Sequence, residues 1–283
     1  MGNWREVPVT TALRPLSLGE LLDRSFFLYR KHFLLFMGII ALPHLLLLAF
    51  QLIGVAVRPS TPYMFATTTL VWTFGSMILD LAVIAASQGA TVIAVSKVHL
   101  GNSTSISEAF GAIKGRILYL ALIMIGVGIG VGIGLLLLIV PGIILALMWA
   151  LTIPVAVLED TGLRDSVARS AELTKGSRGR IFVIGFLFIV LLYTVYLLWE
   201  IPIFAIIGIF ARNHNPAFGI PVWTQIAFPV GNFLTQCLVG PLMTIALSLV
   251  YYDQRVRKEA FDLQHMMSTL DSTQGGAPTP AAV

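Results

Sequence analysis

Long apolar segments alternate with short polar ones along the chain, and this alternation predicts a bundle of membrane-spanning helices. An α-helix needs about 20 mainly apolar residues to cross the hydrocarbon core of a bilayer. Segments of about that length recur six times. The predicted crossings lie near residues 33–57, 68–95, 117–139, 141–158, 181–200 and 224–252.

The third and fourth crossings come from one apolar segment, residues 117–158, which carries no charged side chain. At a rise of about 1.5 Å per residue, this segment is long enough to cross the bilayer twice. Pro141-Gly142 is a dipeptide typical of turns and predicts the hairpin between the two crossings. Residues 203–222 are ambiguous, because their apolar part, residues 203–210, is too short to span; we expect a partly embedded segment.

A short amphipathic helix is predicted before the first, third and fifth crossings. The first two begin at a capping box, Ser17-x-x-Glu20 and Ser105-x-x-Glu108, whose side chains bond free backbone N–H groups. Apolar side chains then recur at helical spacing opposite polar ones, which is typical of a helix lying in the membrane interface. The predicted interfacial helices lie near residues 17–31, 105–115 and 161–175.

The predicted fold is therefore all-α, a polytopic membrane bundle of about six transmembrane helices with three cytoplasmic amphipathic helices. Each amphipathic helix forms a unit with the two crossings after it, so that three helix-plus-hairpin units make up the chain. We expect residues 1–16 to be an irregular cytoplasmic N-terminus and residues 17–265 to be the membrane domain. Residues 266–283 are predicted to be a disordered cytoplasmic tail.

Composition and charge agree with a membrane protein and predict its orientation. The 283 residues are 57% hydrophobic and 11% charged, with a mean hydropathy of +0.88, whereas soluble domains carry roughly 25% charged residues. Of the 18 Lys and Arg residues, all but Arg58 and Arg212 fall on one side of the predicted bundle. The positive-inside rule makes that side cytoplasmic, so we expect a multi-pass protein of a prokaryotic plasma membrane with both termini in the cytoplasm.

Three separated motifs occur in order between residues 16 and 265. They are Leu16-Ser17-Leu18-Gly19-Glu20-Leu21-Leu22-Asp23-Arg24; Val140-Pro141-Gly142-Ile143-Ile144 with Pro154-Val155-Ala156-Val157-Leu158-Glu159 and Ser166-x-x-Arg169-Ser170-x-x-Leu173-x-Lys175-Gly176; and the segment from Tyr251 to Leu263. Together they resemble the membrane domain of glycerophosphoryl diester phosphodiesterases. In some members this domain precedes a soluble phosphodiesterase barrel; we expect a stand-alone member without that barrel, and the resemblance by itself does not imply a hydrolase.

Polar side chains within the predicted crossings are candidates for an intramembrane site. Inserting a carboxylate at the middle of the bilayer costs about 2.5–3.5 kcal/mol on insertion scales, so Asp80 is the strongest candidate. Asp80 is interpreted either as a proton or cation site or as a protonated or hydrogen-bonded carboxyl group inside the bundle. Its partner His44 is either a relay residue or a core histidine, because the two supply too few ligands for a metal. The candidate set is Asp80, His44, Gln88, Asn232 and Gln236.

Asn232 and Gln236 have two interpretations, a polar cavity lining and interhelical hydrogen bonds. In the third crossing, Gly126, Gly130 and Gly134 form one small face and Gly128 and Gly132 another, and both predict close helix packing. At the cytoplasmic side we expect a set of charged residues to meet anionic headgroups or a partner protein. This set is Glu159, Arg169, Lys175, Asp253, Arg255 and Arg257.

The favoured function is a non-enzymatic membrane scaffold or a domain that interacts with lipid or a partner, because the patterned residues concentrate at the cytoplasmic interface. The alternatives are a transporter or permease for a small or lipidic solute and an intramembrane enzyme of glycerophospholipid metabolism. The sequence has no zinc-protease, serine-hydrolase or P-loop motif, so no catalytic residue, metal or cofactor is assigned. The expected partners are the bilayer, anionic headgroups and a protein or second copy, but not nucleic acid.

Overall fold

A computed structural model of the chain describes residues 16–57, 62–213 and 222–274. Within these ranges the regular elements are all helices, so the predicted all-α class is confirmed. The helices are α1 (Leu18–Lys31), α2 (Phe33–Ala56), α3 (Pro62–His99), α4 (Ile106–Ile113), α5 (Ile117–Leu137), α6 (Ile139–Met148), α7 (Thr152–Leu158), α8 (Leu163–Thr174), α9 (Arg178–Asn213) and α10 (Val222–Gln274).

Six described segments are long and apolar enough to cross a membrane, as predicted. They are Phe33–Ala56, Thr67–His99, Ile117–Leu137, Ile139–Leu158, Arg178–Phe210 and Val222–Glu259. The spans in α3 and α10 are more than half buried, whereas the other four are at most one-third buried. The long helices α3 and α10 therefore form the centre of the bundle, and α2, α5, α6, α7 and α9 surround them.

The largest hydrophobic core lies in the half of the bundle that carries α1, α4 and α8, and we call this half the basic end. Fully buried side chains from the three short helices, among them Leu21, Ile113 and Leu173, join Phe36 and Tyr251 in this core. The sequence predicted that these apolar faces would lie in the membrane interface. They instead pack against the crossing helices, because the ends of those helices leave apolar surface that must be covered.

The hairpin between the third and fourth crossings does not lie at Pro141-Gly142, as the sequence predicted. Leu138 alone separates α5 from α6, with an extended backbone at φ −159° and ψ 139°. Pro141 falls in the first turn of α6, where its missing N–H removes no intrahelical hydrogen bond. Gly142 faces Gly134 across the hairpin, and a Cβ atom added at Gly134 would lie 3.0 Å from Gly142 Cα.

The fourth crossing consists of two helices rather than one. Residues 149–151 form a turn between α6 and α7, and Pro154 lies in the first turn of α7. Proline has no N–H group to bond the carbonyl four residues earlier, and its ring clashes with that carbonyl. Pro154 therefore accounts for the break just before α7.

The last two crossings are longer than predicted. Helix α9 continues through Pro202 to Asn213, so residues 203–213 are not a separate embedded segment; membrane helices tolerate such prolines. Helix α10 continues to Gln274, which corrects the prediction of disorder for residues 266–274. No glycine or proline interrupts the chain between Pro241 and Gly275, so nothing stops the helix earlier. The predictions for residues 1–15 and 275–283 fall outside the described residues.

Candidate functional site

The buried carboxylate of Asp253 is the centre of a hydrogen-bonded network at the basic end. Its side chain is only 1% exposed, and it accepts hydrogen bonds from Arg180 Nη1 at 3.1 Å and Arg257 Nε at 2.9 Å. The backbone N–H of Leu16 donates to the same carboxylate at 2.8 Å. Both guanidinium groups also donate to the Leu16 carbonyl at 2.7 Å. This Asp253 network joins α9 and α10 to the residues that lead into α1.

A second network has Arg169 of α8 at its centre. Arg169 Nε lies 3.4 Å from Glu159 Oε2, and its Nη2 donates to Glu259 Oε1 at 2.7 Å. The Tyr251 hydroxyl donates to Glu159 Oε1 at 2.9 Å, and Arg255 Nε donates to both carboxylate oxygens of Glu259. The Arg169 network thus connects the end of α7, the middle of α8 and α10.

The charges around Arg169 raise the pKa of its guanidinium group. Partial burial by itself would lower the pKa of Arg169. The hydrogen bond to Glu172, at 3.2 Å, and the charges of Glu159 and Glu259 outweigh burial, so the pKa is raised instead. A permanently charged, multiply bonded arginine holds these elements in one arrangement.

The hydroxyl groups of α8 satisfy the backbone groups exposed by the break between α6 and α7. Ser170 Oγ donates to the Met148 carbonyl at 2.8 Å and accepts from the Leu151 N–H at 3.1 Å. Thr174 Oγ1 donates to the same Met148 carbonyl at 3.3 Å. A buried, unpaired backbone group would otherwise cost about 1–3 kcal/mol. The small hydroxyl face of α8 therefore seals the interrupted crossing.

Two exposed ion pairs connect the remaining short segments of the basic end. Lys97, near the end of α3, binds Glu108 in the first turn of α4 at 3.3 Å. The hydrogen bond and charge of Lys97, with the helix cap at Ser105, hold the pKa of Glu108 below its usual range. Arg116, before α5, pairs with Asp160 after α7. Such pairs are solvated and contribute little to stability, but they orient the segments between helices.

Five of the six charged residues predicted to meet headgroups are bound inside these two networks. They are Glu159, Arg169, Asp253, Arg255 and Arg257. Lys175 is the exception, since it makes no ion pair with any residue that the structure describes. The sequence could not reveal these pairs, because Arg180 and Asp253, for example, are 73 residues apart.

Unpaired basic side chains surround the two networks, and we call them the basic rim. Within the described ranges these residues form no ion pair with a carboxylate, and the unpaired carboxylates beside them are Asp23 and Asp165. The basic rim is therefore strongly positive, although the whole chain carries a formal charge of only +4. Its members are Arg24, Arg30, Lys31, Lys114, Arg164, Lys175 and Arg178.

The predicted intramembrane residues fall into two groups. His44 is buried in α2, where its Nδ1 lies 2.8 Å from the Ile40 carbonyl oxygen. Asp80 lies in α3 at about the level of His44, because Gly75 lies against Phe50 and Gly54 against Trp72 where α2 and α3 pack together. Its carboxylate forms no hydrogen bond or ion pair with another described residue. Gln88 lies two turns further along α3 and forms no hydrogen bond with the described part of the chain.

Asn232 and Gln236 form interhelical hydrogen bonds, which is the second of the two roles that the sequence suggested for them. The Tyr196 hydroxyl donates to Asn232 Oδ1 at 2.6 Å, and Gln236 Nε2 donates to the Tyr196 oxygen at 3.4 Å. Sequence reasoning missed Tyr196, because nothing in the pattern of this apolar crossing distinguishes it from other tyrosines. Within the described ranges, no group of three or more His, Cys, Asp or Glu side chains is placed to hold a metal ion.

One of the two glycine faces of α5 is closely packed. A Cβ atom added at Gly126 would lie 3.0 Å from a methyl group of Leu163, and one added at Gly130 would overlap the Trp149 ring. Gly134 faces Gly142, as described above. In contrast, nothing lies within 4 Å of a Cβ atom added at Gly128 or Gly132. The prediction of a second packed seam was therefore wrong, because no described helix lies on that side of α5.

The segment that contains both networks also matches a known family. Residues 123–273, just over half of the 283-residue chain, match the family described as the membrane domain of glycerophosphoryl diester phosphodiesterase. The chain belongs to this family. No curated protein and no solved structure matches it. The family and the six apolar helices together identify a multi-pass integral membrane protein, as the sequence predicted.

The family match covers α6 to α9 completely, α10 except for Gln274, and most of α5. It therefore contains the acidic and basic residues of both networks, Ser170 and the glycine face of α5. Asp80 and His44 lie outside the matched segment. Nothing in the family description assigns a reaction to these residues.

Proposed function

We propose that the chain is a non-enzymatic membrane domain that binds anionic lipid headgroups through its basic rim on the cytoplasmic face. The observation that carries this proposal is the division of charge at the basic end. Most of the described carboxylates there are paired internally, and the unpaired side chains are mostly Lys and Arg. Each such cation near an anionic membrane surface contributes about 1 kcal/mol of attraction.

The two networks support this role by holding the rim in place. Asp253 fixes the start of α9, where Arg178 lies, and Arg169 fixes α8, which carries Arg164 and precedes Lys175. A rigid array of cations loses less conformational entropy on binding than the same cations on free loops. The cytoplasmic orientation rests on the distribution of Lys and Arg, since only Arg58 and Arg212 lie toward the other side.

Lipid binding by a rim variant tests the proposal. The variant Lys114→Gln/Arg164→Gln/Lys175→Gln keeps polar, unbranched side chains and removes three rim charges. Purified in mixed phosphatidylglycerol and phosphatidylcholine nanodiscs, the wild type should retain phosphatidylglycerol in native mass spectrometry. Affinity in the variant should fall about ten-fold, within the upper limit of about 3 kcal/mol for three charges.

Arg212→Gln is the matched control, since Arg212 is an exposed arginine at the other end of α9. Its lipid retention should equal that of the wild type. Equal retention of phosphatidylglycerol by the wild type and the rim variant would refute the proposal. A loss in the control as large as in the rim variant would also do so, because it would show a general charge effect.

A further inference from the structure

A half-open cavity of about 630 Å³ lies between α2, α3 and α10, at the end of the bundle away from the basic end. This volume falls within the range of about 300–1,000 Å³ typical of small-molecule sites. Its aromatic wall is formed by Phe50 and Trp72, whose ring centroids are 4.4 Å apart. Its polar lining comes from all three helices and includes Gln51, Thr68, Thr73, Ser76 and Gln225.

Several polar side chains of this cavity have no partner among the described residues. The amides of Gln51 and Gln225 and the hydroxyl of Thr68 form no hydrogen bond with the described part of the chain. Amide groups that approach the hydrocarbon region without a partner raise the free energy of the folded protein. These groups are therefore suited to bind water or a polar ligand rather than lipid tails.

Polar side chains continue from the cavity toward the basic end as far as the carboxylate of Asp80. Ser76 lines the cavity, and Asp80 follows one helical turn later on the same face of α3, about 6 Å deeper. On α2, the cavity residue Gln51 lies two turns from His44 on one face. Gly75 of α3 lies against Phe50 of α2, and Gly54 of α2 lies against Trp72 of α3, so the two helices run antiparallel and place His44 and Asp80 at about the same level beneath the cavity.

The same three helices are sealed below Asp80. Toward the basic end, the next layers contain Phe36 and Ile39 of α2, Ala90 of α3 and Ile245 of α10, all with 0% exposure. These side chains belong to the main hydrophobic core. The cavity is therefore closed toward the basic end and opens at the opposite end.

We propose that this cavity is a binding site for a small organic ammonium ion, with Asp80 as the counter-ion at its base. A lone carboxylate within the membrane is costly, and a bound cation offsets that cost. Trp72 and Phe50 supply ring faces that attract an ammonium group. The hydroxyl and amide oxygens of the cavity accept hydrogen bonds from the N–H groups of the ligand. The site is independent of the basic rim, and its lining on α2 and α3 lies outside the segment that matches the family, whereas Gln225 of α10 lies within that segment.

Sided cysteine modification of the full-length protein tests the charge of the site. Cys237→Ala removes the single native cysteine, and Ser76→Cys or Thr68→Cys then places a thiol near the base or the mouth. Cationic and anionic methanethiosulfonates of similar size are applied in liposomes. At Ser76→Cys the cationic-to-anionic rate ratio should exceed that at Thr68→Cys about ten-fold, because a charged cleft concentrates counter-ions.

Asp80 variants connect this preference to one carboxylate. Asp80→Asn should reduce the ratio at Ser76→Cys to the value at the mouth, and Asp80→Glu should retain most of the preference. Size-exclusion profiles identify variants that are folded. An equal ratio at the two positions, or a folded Ser76→Cys protein that neither reagent modifies, would overturn the proposal.

Protection experiments test the class of ligand. Benzylammonium should slow the modification of Ser76→Cys by the neutral reagent methyl methanethiosulfonate, whereas benzyl alcohol should not. Asp80→Asn should abolish the protection. Equal protection by both compounds would show a site for neutral solutes, and protection by neither would show a cavity for water alone; either result would contradict an ammonium site.

Discussion

At the scale of single residues, Asp253 differs from the other acidic residues because its carboxylate is almost fully buried yet bonded on several sides. Arg180, Arg257 and the Leu16 N–H all donate to it. Removing one member of a buried charge network leaves the other charges uncompensated, and this costs more than the pair itself contributes. The two arginines would then face each other across the Leu16 carbonyl.

The variant Asp253→Asn should therefore destabilise the protein. We expect the free energy of unfolding to fall by about 2–3 kcal/mol, at the lower end for buried pairs because the arginines are partly exposed. Chemical or thermal unfolding in detergent measures the change. Asp23→Asn is the control, since Asp23 is exposed and unpaired among the described residues, and it should change stability by less than about 0.5 kcal/mol. Equal effects of the two variants would contradict the structural role of Asp253.

Sequence reasoning found most of the important charged residues but not the side chains to which they are bound. Arg169 and Asp253 were expected to meet headgroups or a partner protein, and the structure shows both of them bound to distant side chains. Residue type and local pattern identify a polar residue at a membrane boundary. They do not indicate which residue from another helix lies beside it, and Tyr196 was missed for the same reason.

At the scale of helices, the glycines of α5 show how one face of a helix differs from the next. Gly134 approaches the backbone of Gly142, whereas Gly132, two residues earlier, faces open space. Both glycines lie in a helix among apolar residues, so the sequence alone does not show which of them is closely packed. Membrane helices that approach closely depend on small residues at the contact, because a side chain there would separate the backbones.

The pair Gly134→Ala and Gly132→Ala tests this distinction. Alanine favours the helix by up to about 1 kcal/mol over glycine, so Gly132→Ala should leave stability unchanged or increase it. Gly134→Ala should lower the free energy of unfolding by about 1–3 kcal/mol, because the added methyl meets backbone atoms 3.0 Å away. Unfolding in detergent by the same method compares the two. A loss in Gly132→Ala as large as in Gly134→Ala would show that the α5–α6 contact is misassigned.

The number of crossings and their helical class followed from the length and composition of the apolar segments, since a bilayer fixes the length that a crossing needs. The ends of the helices were harder to predict. Pro141 lies in the first turn of α6 and not between two helices. Pro202 lies inside α9, although proline often ends a helix in soluble proteins. The break before α7 depends on Pro154 together with hydroxyl groups of α8, a contact that the local sequence does not show.

At the scale of the whole molecule, the two ends of the bundle differ in chemistry. The basic end is closed by α1, α4 and α8 and carries the basic rim. The other end opens into the cavity above Asp80. The central position of α3 and α10 was not predicted, although their spans, with mean hydropathies of 1.9 and 1.8, are the least apolar of the six described spans. Headgroup binding and ligand entry are therefore assigned to opposite faces of the membrane.

Sided labelling of single cysteines tests this assignment most directly. In the Cys237→Ala background, Lys114→Cys marks the basic end and Arg212→Cys the opposite end. A membrane-impermeant maleimide applied to intact cells should label Arg212→Cys, and it should label Lys114→Cys only after the membrane is permeabilised. Labelling of Lys114→Cys in intact cells, with Arg212→Cys protected, would contradict the orientation on which the lipid-binding proposal rests.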